Sequence, residues 1–337
     1  MSRQLLLPFA VCLVCVASAS QARATSYNFT QVGPIGNIAP VGITNSGAIL
    51  FRDLTGSYIY QNGLSTALPG NFGSQAISLD GSSLLGIQLP VPSSGAAEYL
   101  LLTSSGIQDT GLNALPGDTF ATGLNDPGQI VGTTEVFAPC SSCLPAFPYS
   151  FITTGFIRSN GVTSTLFYPS PSGSPQSSYF LAINNSGTIL GQGGPTNGFT
   201  VQNGHFTDLV PYAPGWTFFP NSINDNGLIV GVMDLPDTAP GRAIATYDNG
   251  QYSILDFSPP AGYSSFSVAG LNDQGDILLS TAIYASGIDG APTIETFLAT
   301  PITSTPEPSA LTFVFLGCSL LVLHAARRSC HLCRPFR

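Results

Sequence analysis

The stretch INDNGLIVG, residues 223–231, decides the fold because the chain makes the same bend six times. Its copies are GITNSGAIL ending at Leu50, AISLDGSSLLG at Gly86, GLNDPGQIVG at Gly132, AINNSGTILG at Gly191, SINDNGLIVG at Gly231 and GLNDQGDILL at Leu279. In each copy an Ile or Leu ends a strand. Asn and Asp then bend the chain through side-chain bonds to nearby backbone, and Gly takes the positive-φ position before the next strand. The turn glycines are Gly47, Gly81, Gly128, Gly187, Gly227 and Gly275, spaced by 34, 47, 59, 40 and 48 residues. Periods of this order, built from short β runs, imply propeller blades or a related β array.

The returning strand, such as Leu228 to Val230, is apolar at successive positions, as in a sheet covered on both faces. Gly132, Gly191 and Gly231 then allow close backbone approach. A second hairpin follows in most units: YIYQNGLSTAL, YLLLTSSGIQDTGL, GFIRSNGVTSTLF, GFTVQNGHFTDL and AIATYDNGQYSILDF. Asn-Gly or Ser-Gly between two alternating runs is a strong hairpin signal, so each unit reads as a four-stranded meander.

The sixth unit supplies only a third strand, around Glu295 to Thr300, while an orphan strand, YNFTQVG from Tyr27, precedes the first turn. Pairing of these two would close a six-bladed ring and remove the exposed edges. The fold expected is therefore all-β: a six-bladed, propeller-like array of four-stranded meanders joined by its N- and C-terminal strands. A pair of β-sandwiches and an open β-solenoid are the alternatives. The two alternating hairpin patterns resemble the HAF repeats of secreted bacterial proteins over most of residues 27–300, although a His-Ala-Phe tripeptide is absent. That resemblance implies an extracellular β-repeat protein.

Only 8% of residues are charged and lysine is absent, against about 25% charged in ordinary globular proteins. Residues 25–305 hold three arginines, Arg52, Arg158 and Arg242, against seventeen carboxylates, a formal charge of −14. Nucleic-acid binding is excluded on this count, because neutralising phosphates needs a basic stripe. An acidic surface suits an exported protein that must stay dispersed.

Both ends read as addresses. Arg3, an apolar run from Leu5 to Ala17 and the small-x-small pattern at Ala22 and Ala24 describe a secretory signal helix. Near the other end, Pro306-Glu307-Pro308 precedes an uncharged apolar segment, residues 310–326, with Arg327 and Arg328 directly behind. Seventeen residues at about 1.5 Å each give roughly 25 Å, at the short end of a bilayer span. The arginines hold their side in the cytoplasm.

This arrangement resembles the PEP-CTERM sorting signal: Pro-Glu-Pro, one transmembrane helix and a basic tail, here extended by SCHLCRPFR. The resemblance implies processing by an exosortase, passage through the secretion machinery and transient residence in the inner membrane. The final location is then the cell surface or an exopolysaccharide matrix. The expected organisation is a signal peptide over 1–24, the β-repeat domain over 25–301, a linker with the motif over 302–309, the transmembrane helix over 310–326 and the cytoplasmic tail over 327–337.

In an up-and-down meander the tight turns share one face and the longer, Pro- and aromatic-rich loops fall on the other, where working surfaces of repeat arrays lie. Trp216, Phe218, Phe219 and Tyr149 are the candidate ligand-binding residues there, since rings stack on sugars. Capping of the core between blades is the alternative for large aromatics. Cys140 and Cys143, in CSSC, are expected to form a local disulfide.

Catalytic, metal and cofactor sites are not expected. The domain's single histidine, His205, stands beside a turn, and no second Cys or His pair completes a zinc site. The expected function is a non-enzymatic, exosortase-sorted surface or matrix protein associated with the envelope or with polysaccharide. A secreted carbohydrate-active hydrolase or lyase using carboxylates such as Glu135, Asp234 and Asp237 is the alternative, and a purely structural repeat is a third reading.

Overall fold

Twenty-four strands form six antiparallel sheets of four among the described residues. The computed structural model describes residues 26–302, except 71, 89–97, 116, 140–148, 170–175, 194–196, 235–240, 258–264 and 284–292. The expected signal peptide, Pro306, Glu307, Pro308, the apolar span, Arg327, Arg328, Cys140 and Cys143 lie outside these residues. No described helix is long and apolar enough to cross a membrane.

The chain begins with β1 (Tyr27–Gly36). Blade 1 then follows as β2 (Ala39–Ile43), β3 (Ile49–Arg52), β4 (Ser57–Gln61) and β5 (Leu64–Ala67). Blade 2 is β6 (Phe72–Ile77), β7 (Ser83–Gln88), β8 (Tyr99–Thr103) and β9 (Gly106–Asp109). Blade 3 is β10 (Thr119–Leu124), β11 (Ile130–Pro139), β12 (Tyr149–Ser159) and β13 (Val162–Leu166). Blade 4 is β14 (Ser178–Ile183), β15 (Ile189–Gly193), β16 (Phe199–Gln202) and β17 (His205–Asp208). Blade 5 is β18 (Thr217–Ile223), β19 (Ile229–Asp234), β20 (Arg242–Asp248) and β21 (Gln251–Leu255). Blade 6 is β22 (Ser265–Leu271), β23 (Ile277–Ile283) and β24 (Thr293–Pro301), with β1 as its fourth strand. The protein is a six-bladed β-propeller.

β1 runs antiparallel to β24, with Tyr27 opposite Pro301, Phe29 opposite Ala299 and Gln31 opposite Phe297. The first and last described strands therefore share one sheet.

The meander follows from local chemistry. Each sequence-repeated turn holds its glycine between φ +76° and +83°. The outer hairpins of blades 1, 3, 4 and 5 close through Asn62-Gly63, Asn160-Gly161, Asn203-Gly204 and Asn249-Gly250, all with positive φ at both residues. That geometry is the type I′ turn, whose twist matches the flanking strands. Blade 2 departs from the reading of its sequence. Thr103 pairs with Gly106, so Ser104-Ser105 make the turn and Gly106 opens β9.

The core lies in the wedges between blades, one buried cluster per wedge, and this explains the two-sided second strands. Ile229 packs in the wedge shared with blade 4, beside Leu190 and Phe218. Its neighbour Val230 packs in the wedge shared with blade 6, beside Leu271 and Ile277. The same split separates Ile49 from Leu50, Leu84 from Leu85, Ile130 from Val131 and Ile189 from Leu190. A strand buried on both faces alternates which wedge it fills, so adjacent apolar residues serve different cores.

Candidate functional site: the central channel and its asparagine collar

The inner strand of every blade carries a bulge at the same level. Register slips between Pro40 and Gly42, Ser74 and Ala76, Ala121 and Gly123, Phe180 and Ala182, Pro220 and Ser222, and Val268 and Gly270. A bulge inserts one unpaired residue and re-aims its side chain. The inserted residues, Val41, Gln75, Thr122, Leu181, Asn221 and Ala269, all line one cavity of about 470 Å³ on the propeller axis. They form a girdle, one side chain from each blade.

Packing holds the bulges in place. Opposite the bulge in blade 5 stands Gly231; a Cβ there would fall on the Phe219 carbonyl oxygen and Pro220 Cα. Gly132 is confined in the same way by Phe120 and Ala121.

Among the described lining residues the only charge is Arg52, on the loop-face side of the girdle, whose Nη1 donates to the Ser74 carbonyl at 3.0 Å. Thr122 Oγ1 donates to the Phe180 carbonyl at 2.7 Å. Ser267 and Ser280 hydroxyls meet at 2.7 Å near the same mouth.

The other mouth is ringed by the repeated turns. Asn125 Nδ2 donates to the Asn184 carbonyl at 3.0 Å, and Asn184 to Asn224 at 3.1 Å. Asn224 donates to Asn272 at 2.9 Å, and Asn272 to Thr44 at 3.2 Å. Each carboxamide oxygen also accepts a backbone N–H of its own turn, as Asn224 does from Leu228 at 3.0 Å. The side chain thus folds one blade and fastens the next.

Blades 1 and 2 carry Thr44 and Ser78 at this position, too short to reach a neighbour. There Asn45 N donates to the Leu79 carbonyl at 2.7 Å, and Asp80 N to Asp126 Oδ1 at 3.0 Å. All six blade junctions are bonded.

A second tier uses the following residue: Asn185 N donates to Asp225 Oδ1 at 2.7 Å and Asp225 N to Asp273 Oδ1 at 2.8 Å. Asn185 Nδ2 bridges Asp126 Oδ2 at 2.5 Å and Asp225 Oδ2 at 2.6 Å. Partial burial raises the Asp225 pKa. The Asn185 backbone N–H opposes that rise, and Asp273 and Asp126 add to it. The collar carboxylates are thus acceptors for neighbouring blades, a role that the sequence alone assigns to turn formation. Among the described residues no group of three His, Cys, Asp or Glu is placed to hold a metal ion.

The aromatic candidates are not brought into one exposed patch. Phe218 is buried in the wedge between blades 4 and 5, and Trp216 packs against the same cluster. Tyr212 meets Trp216 edge-on at 4.9 Å and Tyr252 at 5.6 Å. Phe219 is half-buried and its backbone pairs with Val232. The backbone of Tyr149 pairs with Pro139; its side chain lies outside the described residues. Core capping describes Phe218.

Of the carboxylates weighed for hydrolysis, Asp234 ends β19 with Oδ1 2.9 Å from Arg242 Nε. The N–H is not aligned on that oxygen, so the contact is an ion pair without a hydrogen bond. Glu135 sits within β11 opposite Thr153, and Asp237 is outside the described residues. His205, exposed, opens β17.

No family model matches the chain, and no curated protein does. Among solved structures it is similar to the β-propeller domain of the Trilobed protease from Pyrococcus furiosus, at 9% identity and TM-score 0.45, covering 83% of this chain and 99% of that one. A gluconolactonase from Xanthomonas campestris aligns at 12% identity and TM-score 0.47, covering 84% and 92%. TolB from Acinetobacter baumannii aligns at 14% and TM-score 0.40, covering 77% of this chain and 63% of that one.

Proposed function

We propose that this chain is an exported, non-enzymatic β-propeller sorted by an exosortase and associated with the cell envelope or an exopolysaccharide, its ring held closed by the pairing of β1 with β24. The observation that carries the binding role is the channel wall, where neutral polar groups, aliphatic side chains and the Arg52 guanidinium surround a cavity of ligand size. The sorting role rests on Pro306-Glu307-Pro308, the apolar segment and Arg327-Arg328. Low charge without lysine fits a protein that works outside the cytoplasm.

The test of binding is to incubate the purified full-length protein with neutral and acidic polysaccharides, scoring retention and new reducing ends. Retention without cleavage is expected. Cleavage abolished by Asp234→Asn or Glu135→Gln would replace this reading with a hydrolase or lyase. For sorting, alanine at Pro306, Glu307 and Pro308 is expected to leave the protein in the inner-membrane fraction of a host that has an exosortase. Unchanged release would overturn the sorting assignment. Removing β1 is expected to leave the edge of β24 open and cause self-association, measured by light scattering.

A further inference from the structure

We infer that the channel is a binding site for a uronic-acid ring, the carboxylate meeting Arg52 and the hydroxyls meeting the girdle carboxamides; this deepens the polysaccharide reading above and rests on it. Three observations converge. The domain carries a large negative charge, yet the single ionised group on the described channel wall is a guanidinium. Among the described residues no carboxylate pairs with it; its Nη1 donates to the Ser74 carbonyl instead. Arg242, by contrast, lies against Asp234. An unpaired guanidinium facing a cavity presents a planar fork of donors that a carboxylate matches.

The second observation is the girdle. Gln75 and Asn221 are two of its six side chains, and their carboxamides make no hydrogen bond within the protein among the described residues, while Asn221 is exposed to the channel. Gln75 directly follows Ser74, whose carbonyl accepts from Arg52, and all three line the same cavity. Carboxamides offer both donors and acceptors, as a polyhydroxylated ring requires. The third is the aliphatic remainder of the girdle, Val41, Leu181 and Ala269, which offers contact to the C–H surface of such a ring. A cavity of about 470 Å³ falls within the range of small-molecule sites. An alkyl carboxylate would leave the carboxamides unused, and a neutral hexose would leave Arg52 unused.

The experiment is calorimetric titration of the purified full-length protein with glucuronate, glucose, hexanoate and a uronate-terminated oligosaccharide. Glucuronate or the oligosaccharide is expected to bind about tenfold or more tightly than glucose and hexanoate, the two uronates separating a free acid from a polymer end. Arg52→Gln is expected to erase that preference, and Asn221→Phe, which fills the channel at an exposed position, to abolish binding. Unchanged melting temperatures show that both variants are folded. Equal affinity for glucuronate and either control, or uronate binding that survives both substitutions, would overturn the inference. Polysaccharide retention that persists in Asn221→Phe would also overturn it while leaving the proposed function standing. Uronate binding without polysaccharide retention would support the channel site and remove the matrix role.

Discussion

The side-chain amide of Asn184 donates to the main-chain carbonyl of Asn224, 40 residues later and one blade away, at 3.1 Å. Asn224 repeats the act towards Asn272, 48 residues on. The local residue that bends the chain is also the long-range residue that fixes its neighbour, so secondary and tertiary structure share one side chain.

Replacing Asn224 with alanine should therefore cost more than a turn residue ordinarily does. Three partners, the Asn226 and Leu228 N–H groups and the buried Asn272 carbonyl, lose their bond to a side chain that is itself buried, and the loss expected is about 2–4 kcal/mol. Asn226 also bridges to the next blade, donating to the Asp273 carbonyl at 2.9 Å, but it is exposed. There alanine should cost under about 1 kcal/mol, because water replaces the bond. Denaturant titration of the two variants checks the difference, and equal losses would contradict it.

Glycines of the same repeat should respond differently to alanine. At Gly227 a Cβ meets open space, so only its φ of +79° resists, for about 1–2 kcal/mol. Asparagine should be tolerated better there, since Asn203 and Asn249 already hold positive φ. At Gly231 the new atom would collide with the backbone of the inner strand, and a loss of about 3 kcal/mol or more is expected with the bulge disturbed. Thermal melts of Gly227→Ala, Gly227→Asn and Gly231→Ala should rank accordingly.

The collar makes stability depend on acid in a defined sense. Asp225 has a folded-state pKa above its ordinary value, from burial and from the Asp273 and Asp126 charges. Its native form therefore holds its proton more tightly than the unfolded chain does. This contribution is fully present below the ordinary aspartate range and is lost as pH rises through the raised value. The stability of the natural protein relative to Asp225→Asn should fall across that window. A difference independent of pH would sink the assignment, and a carboxyl NMR titration gives the pKa directly.

An alkaline limit follows from three tyrosines. Burial pushes Tyr58, Tyr168 and Tyr252 up to about 12, and in Tyr168 the bond to Asp208 Oδ1, 2.5 Å long, adds to the rise. Their contribution holds below the ordinary tyrosine value of 10.0 and is lost as pH approaches 12. Ultraviolet titration should show these phenols ionising late, together with unfolding. Tyr168→Phe should cost about 1–2 kcal/mol at neutral pH and remove one late phenol.

The blades were legible because their punctuation is local. Asn-Gly fixes a type I′ turn and Ile-Asn-x-x-Gly fixes the inner bend, whatever lies around them. Even the partnership of Tyr27 and Glu295 segments followed from counting strands, and both lie in one sheet. The channel girdle was not legible. Bulged residues such as Leu181 and Ala269 share no residue type, and the slip that turns them inward is set by how the opposite strand packs. The second role of the turn asparagines was equally hidden, because a carbonyl one blade away leaves no mark in the local sequence. For Phe218 the sequence left a ligand face and a core cap both open, because its neighbours are Pro- and aromatic-rich, and the wedge it shares with Leu190 decides for the cap.

The pairing of Ile229 with one wedge and Val230 with the next has a consequence for how such a chain can change over time. No blade owns a hydrophobic interior, so a fragment of three would display two raw flanks and half of each flanking interior. Loss or duplication of one unit must be answered by a new circumference, with every junction reset. Inheritance can thus vary the loops freely while the wheel itself passes on only whole.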